Sequence, residues 1–318
     1  MQFKSSMPGA MMTTLQRDIL CTVAYFDIFD HPLRLSEIHQ YLPLQGVTLD
    51  ALEAACSVEP LRSRLSKIED HYFLESKSEK LVSDRRIKER RARWMWKAAI
   101  VMSHIIRRIP FVRAVFVSGE LSKGVASKHS DIDFFIVTAE NRVWICRTAF
   151  AVFKKIFLFN RKKFFCYNLI ASERHLQIRD RNIYTAVEVV TVKPLFNENL
   201  YERFIRANSW TVQYFPNSKN SLRPSSRAIP VPFLAEKILS AVVASDAFDA
   251  LDRWLLEKWR SIWKERYQEL APGELEHRFQ CRRNISTAYV GDFLHNVMEK
   301  YRHRLDHYGI VHANQFVA

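Results

Sequence analysis

Between Gly46 and Gly273 the chain uses glycine only twice, at Gly119 and Gly124, and both stand a few residues ahead of the acidic pair Asp131-Ile132-Asp133. That clustering is the chain's strongest clue to chemistry, because a turn with glycine lets backbone groups approach a ligand closely. Ala114-Val115-Phe116-Val117-Ser118 reads as an apolar strand and Gly119 to Gly124 as a turn of small residues. Ser130-Asp131-Ile132-Asp133-Phe134-Phe135-Ile136-Val137 reads as a second strand that opens with two carboxylates. Side chains alternate along a strand, which places Asp131 and Asp133 on one face, about 6.5 to 7 Å apart at the backbone. Two carboxylates so placed can bridge a divalent metal.

A chain of 318 residues is long enough for two domains with a substantial core. Its most apolar run, Val143 to Phe159, is interrupted by Arg147 and by Lys154-Lys155 and falls short of the roughly 20 apolar residues that a membrane span requires. The stretch Met1 to Thr14 has no continuous apolar block, which argues against a secretory leader. Five scattered cysteines without a Cys-x-x-Cys pair fit reduced thiols, and a cytoplasmic location is expected. The net charge of +14 favours anionic partners without saying which: nucleoside triphosphate, nucleic acid and acidic protein all remain open.

Four regions follow from the patterning. Residues 1–84 carry helical spacing over 15–25, 35–42, 49–56 and 61–68, then a two-stranded ribbon of 72–74 and 80–82. Short helices followed by a ribbon resemble a winged helix-turn-helix, with Arg62, Arg64 and Lys67 on the candidate recognition helix. Residues 85–110 read as one connecting helix. Its buried stripe would be Ile87, Trp94, Ala98, Val101 and Ile105, and beside it Arg86, Arg90, Arg93 and Lys97 form a basic stripe suited either to solvent or to nucleic-acid phosphates. Residues 111–193 alternate strand 112–117, strand 132–138, helix 142–159, strand 164–170 and helix 183–192. Residues 194–318 read as mostly helical, with helices at 197–208, 234–268 and 287–308, and a loose linker over 216–232. The class expected is α+β.

Phosphoryl and nucleotidyl transfer rely on positioning and on neutralising charge, and two strand-borne carboxylates serve this by holding Mg²⁺ or Mn²⁺. A glycine turn just upstream lets backbone N–H groups approach a triphosphate; Ser118, Gly119, Ser122 and Ser130 are the candidates for that cradle, with Lys123 or Lys128 adding charge. An apolar strand, Gly, about ten residues and Asp-x-Asp followed by apolar residues resembles the polymerase-beta-type nucleotidyltransferase superfamily. The resemblance implies a small mixed sheet with flanking helices, and metal-dependent transfer of a nucleotide from NTP to an acceptor, which could be nucleic acid or protein.

Two departures stand out. Glu120 occupies the second signature position, where Ser or Gly is usual, and a carboxylate there would repel a triphosphate unless it turns away. The third acid of the superfamily belongs on a later strand, and Phe164 to Ile170 holds none; Asn168 could ligate a metal, and Glu188 on the following helix is the candidate third acid. The alternative is a catalytically inactive nucleotidyltransferase fold that binds nucleotide or nucleic acid.

Overall fold

Thr13 opens the first helix, α1 (Thr14–Asp27): its hydroxyl accepts the Gln16 N–H, and the Gln16 side chain accepts the Thr13 N–H in return. In the computed structural model, which describes residues 12–161, 163–218, 246–289 and 292–310, α1 is followed by β1 (Leu33–Arg34), α2 (Leu35–Gln40), α3 (Leu49–Cys56), β2 (Leu65–Ile68) and β3 (His71–Leu74). The three strands form an antiparallel sheet in the order β1-β3-β2. This corrects two sequence expectations. Residues 61–68 are a turn and a strand instead of a helix, and 80–82 begin the next helix instead of closing a ribbon. Leu61, Leu65 and Ile68 satisfy helical spacing, but a run this short fits either structure. The strand prevails because β3 is buried along its whole length and needs a partner on each side, and Glu69, at φ +53°, makes the tight return.

Helix α4 (Lys80–Ile106) buries Val82, Arg85, Ala92, Met95, Ala99, Met102 and Ile106. The expected stripe lies on the opposite side: Ile87, Trp94, Val101 and Ile105 are exposed, Trp94 at 55 %. Both faces of this helix carry apolar residues. The face with Ala92 and Ala99 is the one that lets the helix axis approach the sheet closely, whereas Trp94 at the contact would hold it off.

After α4 come β4 (Val112–Ser118), the one-turn α5 (Gly119–Ser122), β5 (Asp133–Thr138), α6 (Val143–Phe157), β6 (Cys166–Ser172), α7 (Ile183–Thr191), β7 (Lys193–Phe196), α8 (Glu198–Ala207) and a 3-10 turn at Ser209–Gln213. Then follow α9 (Asp246–Arg266), α10 (Pro272–Arg278), β8 (Cys281–Arg282), β9 (Ile285–Thr287) and α11 (Phe293–His307). The expected linker beyond residue 218 and the start of the helix expected over 234–268 lie outside the described residues. The last expected helix, 287–308, starts later, because Thr287 belongs to a strand.

Six strands make one mixed sheet in the order β7-β4-β5-β6-β9-β8. Only β5 and β6 run parallel, joined by α6; the other neighbours are antiparallel. The sheet does not stop at residue 193: β7 forms one edge, and β8 with β9 extends the other, so the last region is less purely helical than its patterning suggests. Alternation divides the strands between two cores. Val115, Val117, Phe134 and Ile136 pack with Met95, Phe150 and Trp263 from α4, α6 and α9. Phe116, Phe135 and Val137 face Val187 and Phe204 from α7 and α8, and this second core continues into α1 and α11. Tyr301 Oη donates to the Cys21 carbonyl at 3.3 Å and Arg304 pairs with Asp27 at 2.8 Å, so the N-terminal segment docks on the last helix. Among the described residues the chain is a mixed α/β protein with two sheets, in keeping with the α+β expectation, and none of their helices is long and apolar enough to cross a membrane.

Candidate functional site

Strand β4 ends at Ser118, which pairs in register with Asp133, the first residue of β5. The next residue must turn beneath the Asp133 side chain. Gly119 does so at φ +67°, and a Cβ there would stand 2.5 Å from Asp133 Oδ2. Backbone angle and close approach therefore each demand glycine at this one position.

Ile132 is fully buried between two half-buried neighbours, Asp131 and Asp133. Its N–H donates to the Lys163 carbonyl and its carbonyl accepts from the Cys166 N–H, both at 3.0 Å, which prolongs the extended pairing just ahead of β5. The two carboxylates both line a cavity of about 370 Å³ together with Glu120, Ser130 and Asn168. Asn168, on β6, donates to Asp133 Oδ1 at 3.3 Å. Burial raises the Asp133 pKa to about 7, with the Glu188 and Asp131 charges adding to it and the Cys166 thiol and Lys123 opposing.

Helix α7 brings Glu188 to the same turn. Glu188 Oε2 accepts the Gly119 N–H at 3.3 Å, and Oε1 accepts from Lys123 Nζ at 2.6 Å. Lys123 also donates to the Gly119 carbonyl at 3.1 Å. The Glu120 carboxylate is taken up by the next turn, where it accepts from the Ser130 hydroxyl and from the Ser127 N–H at 3.0 Å. Ser122 is buried with its hydroxyl turned back onto the Gly119 carbonyl at 2.8 Å, which removes it from the expected phosphate cradle. Ser118, Gly119, Lys123, Asp133 and Glu188 line a larger cavity of about 780 Å³, within the usual range for a small-molecule site. Its far walls come from α1, α7 and the β8–β9 hairpin, through residues such as Phe26, Tyr184 and Arg282.

Compared with protein-family models, curated proteins and solved structures, the chain matches none of them.

Asp133, Glu120 and Asn168 line both cavities, so Asp133 stands on the wall between them. Among the described residues no three His, Cys, Asp or Glu side chains converge into a complete metal cage. Magnesium does not need one, because it takes one or two carboxylates and completes its shell with water and phosphate oxygens. The residues present fit such an ion: Asp131 and Asp133 are hard oxygen donors on one cavity, while Asn168 turns its amide N–H to Asp133 and its carbonyl accepts from the Cys166 thiol at 3.4 Å, so it would add a third oxygen only with its amide turned over.

The basic stripe of α4 lies elsewhere. Arg86 pairs with Glu69, while Arg90, Arg93 and Lys97 are exposed, and none of the four is among the residues that line the two cavities. Lys88 from the same helix does line the larger one, as does His31, which burial and the charges of Arg85, Lys88 and Lys123 hold well below the usual imidazole range. Lys88 is not marked in the sequence by spacing or composition, and His31 stands there only in the break Asp30-His31-Pro32 after the first helix. Arg62, Arg64 and Lys67 are not on a helix, and Lys67 pairs with Glu53 at 2.6 Å.

Proposed function

We propose that the chain is a metal-dependent nucleotidyltransferase of the polymerase-beta type, moving a nucleotide from NTP to an acceptor held in the larger cavity. The observation that carries this reading is the fit of Gly119 under Asp133, with Asp131 and Asn168 beside it and Glu188 opposite. In this reading Asp131 and Asp133 hold Mg²⁺, assisted by Asn168, and the ion supplies neutralisation of the phosphate charge. The turn at Ser118 and Gly119 receives the triphosphate. The acceptor hydroxyl attacks the α-phosphorus, a new P–O bond forms, the bond to pyrophosphate breaks, and the hydroxyl proton passes to the cluster of Asp131, Asp133 and Glu188. Ser127 and Ser130 hold the Glu120 carboxylate back in the next turn, although it still lines both cavities and keeps its charge there.

The element order α1-β1-α2-α3-β2-β3, with sheet order β1-β3-β2, supports a winged-helix reading of the N-terminal segment. The helix in the recognition position is then α3, whose charged residues are Asp50 and Glu53. An acidic helix repels phosphates. The segment instead serves this site as a wall, contributing Tyr25, Phe26, Phe29 and His31 to the larger cavity.

A second reading, a fold that binds NTP without transferring it, draws on Asn168 in place of an acid and on the engagement of both Glu188 oxygens. Calorimetry with each of the four NTPs, with and without Mg²⁺, and label transfer from α-labelled NTP to a total extract separate the two. Transfer reads on Mg²⁺-dependent binding and labelling, both lost in Asp131→Asn with Asp133→Asn. Mg²⁺-dependent binding without labelling favours the second reading, and binding indifferent to Mg²⁺ and to the double substitution overturns the metal site altogether.

A further inference from the structure

We propose that the C-terminal end of α6 and the loop after it lie on an anionic lipid surface. The sequence treats this stretch as an apolar run that fails as a membrane span, and the structure shows where its apolar residues go. Val152, Ile156, Phe157 and Phe159 are 51 %, 58 %, 65 % and 81 % exposed, while the core-facing residues of the same helix, Trp144, Cys146 and Phe150, are fully buried. Four large apolar side chains within eight positions, all more than half in water, are a concentration of the kind that marks an interaction surface, unlike the single exposed leucines common on any protein.

The charge around the patch selects the partner. From Asn141 to Ser172 there is no Asp or Glu, although the chain as a whole carries 34 of them. Lys155, Arg161 and Lys163 are exposed around the apolar residues. Trp94 on α4, itself 55 % exposed, packs edge-on against Phe164 with ring centroids 5.9 Å apart, and exposed Arg90, Arg93 and Lys97 flank it. Apolar and aromatic side chains interleaved with cations, in a segment that itself carries no Asp or Glu, are the arrangement that inserts shallowly between acidic headgroups. A second copy of the chain is a poor occupant, because two-fold pairing sets each patch against itself and brings Lys155, Arg161 and Lys163 towards their own copies. Single-stranded nucleic acid could stack on Phe157, Phe159 and Trp94 but gains nothing from the exposed aliphatic Val152 and Ile156, which suit lipid. None of Val152, Ile156, Phe157 and Phe159 is among the residues lining the two cavities, so docking here leaves the site open. The segment lies on the surface and does not cross it: α6 is 15 residues long, short of a span.

Sedimentation of the full chain with vesicles of phosphatidylcholine alone, or mixed with phosphatidylglycerol, tests this. Binding is expected only to the anionic vesicles and weakens as salt is added. Lys155→Glu with Lys163→Glu weakens it at least about fivefold, as does Phe157→Ser with Phe159→Ser. In wild type, hydrogen exchange slows over 152–161 when anionic vesicles are added, a readout that needs no variant. The proposal is overturned by equal sedimentation with both vesicle types, by variants that bind like wild type, or by unchanged exchange over 152–161. It is equally overturned if light scattering shows a dimer that the phenylalanine substitutions dissolve, or if the lysine substitutions abolish binding to a short RNA while vesicles are ignored.

Discussion

Lys123 Nζ and the Glu188 carboxylate meet at 2.6 Å directly beside Gly119, so the cation expected to greet a phosphate and the carboxylate expected to serve as third acid hold each other. The pair is partly buried, Lys123 at 18 % and Glu188 at 26 % side-chain exposure. In the proposed reaction a triphosphate competes with Glu188 for the charge of Lys123, which couples nucleotide arrival to a weaker hold on a carboxylate next to Asp133.

That coupling can be read from the titration of Asp133. Glu188→Gln removes a charge that raises its pKa, so Asp133 titrates below the wild-type value of about 7, whereas Lys123→Met moves it higher. Carboxyl carbon NMR of the metal-free protein measures both. Identical titration in all three proteins would show that burial alone sets the value.

The same shift makes a stability prediction. With a folded pKa of about 7 against an ordinary 3.8, folded Asp133 keeps a proton that the unfolded chain has already lost. Its contribution is complete below about pH 4, declines as pH rises from 4 to 7, and is level above. Asp133→Asn removes that slope and is expected to be more stable than wild type at pH 8 by on the order of 3 kcal/mol, measured by urea unfolding across pH.

Gly119→Ala and Gly124→Ala form a matched pair, since both positions have positive φ, +67° and +77°, but only the first is crowded. Gly124→Ala is expected to cost about 1 kcal/mol from the backbone alone. Gly119→Ala is expected to cost about 2 kcal/mol or more and to displace Asp133, which NTP calorimetry would register as lost Mg²⁺ dependence.

Asp252 on α9 caps a helix to which it is not adjacent: Oδ1 accepts the N–H groups of both Trp144 and Ile145 at 2.9 Å, at the start of α6, where Arg142 supplies no side-chain cap. Asp252→Ala leaves two N–H donors without that partner and is expected to cost about 2 to 4 kcal/mol in chemical denaturation. Asp252→Asn keeps the oxygen. Because burial raises this carboxyl to about 6, the asparagine variant should compare best above that pH.

On α4 the two faces differ in energetic weight. Met95, 1 % exposed, packs with the sheet, so Met95→Ala is expected to cost about 2 to 4 kcal/mol. Trp94→Ala is expected to stay within about 1 kcal/mol, losing little beyond the Phe164 ring contact. The opposite ranking in thermal unfolding would restore the face suggested by the hydrophobic spacing.

Much of the central region is legible in the residues themselves. The strands expected over 112–117 and 132–138 are found at 112–118 and 133–138 with a turn between them, since alternation is settled within a few positions; Asp133 opens the second strand, and Asp131 stands just ahead of it. The helix expected over 61–68 fails for the converse reason: its spacing suits two local structures, and the burial of β3, a tertiary fact, chooses between them. Glu120 shows the limit at the site. Its charge is plain in the sequence, but whether it faces a ligand or the Ser127–Ser130 turn depends on where that turn lies.

The sequence by itself determined the backbone demands of this protein: a tight glycine turn after an apolar strand, and two acids at the head of the next. Tertiary structure alone decided that Glu188 and Lys123 meet at that turn, that Asn168 reaches Asp133, that Asp252 caps α6, and which side of α4 is buried. The physical reason is range. A dihedral preference acts on one residue, whereas a contact between distant residues exists only once both faces of the sheet have been covered, and that covering is the summed burial of the whole chain.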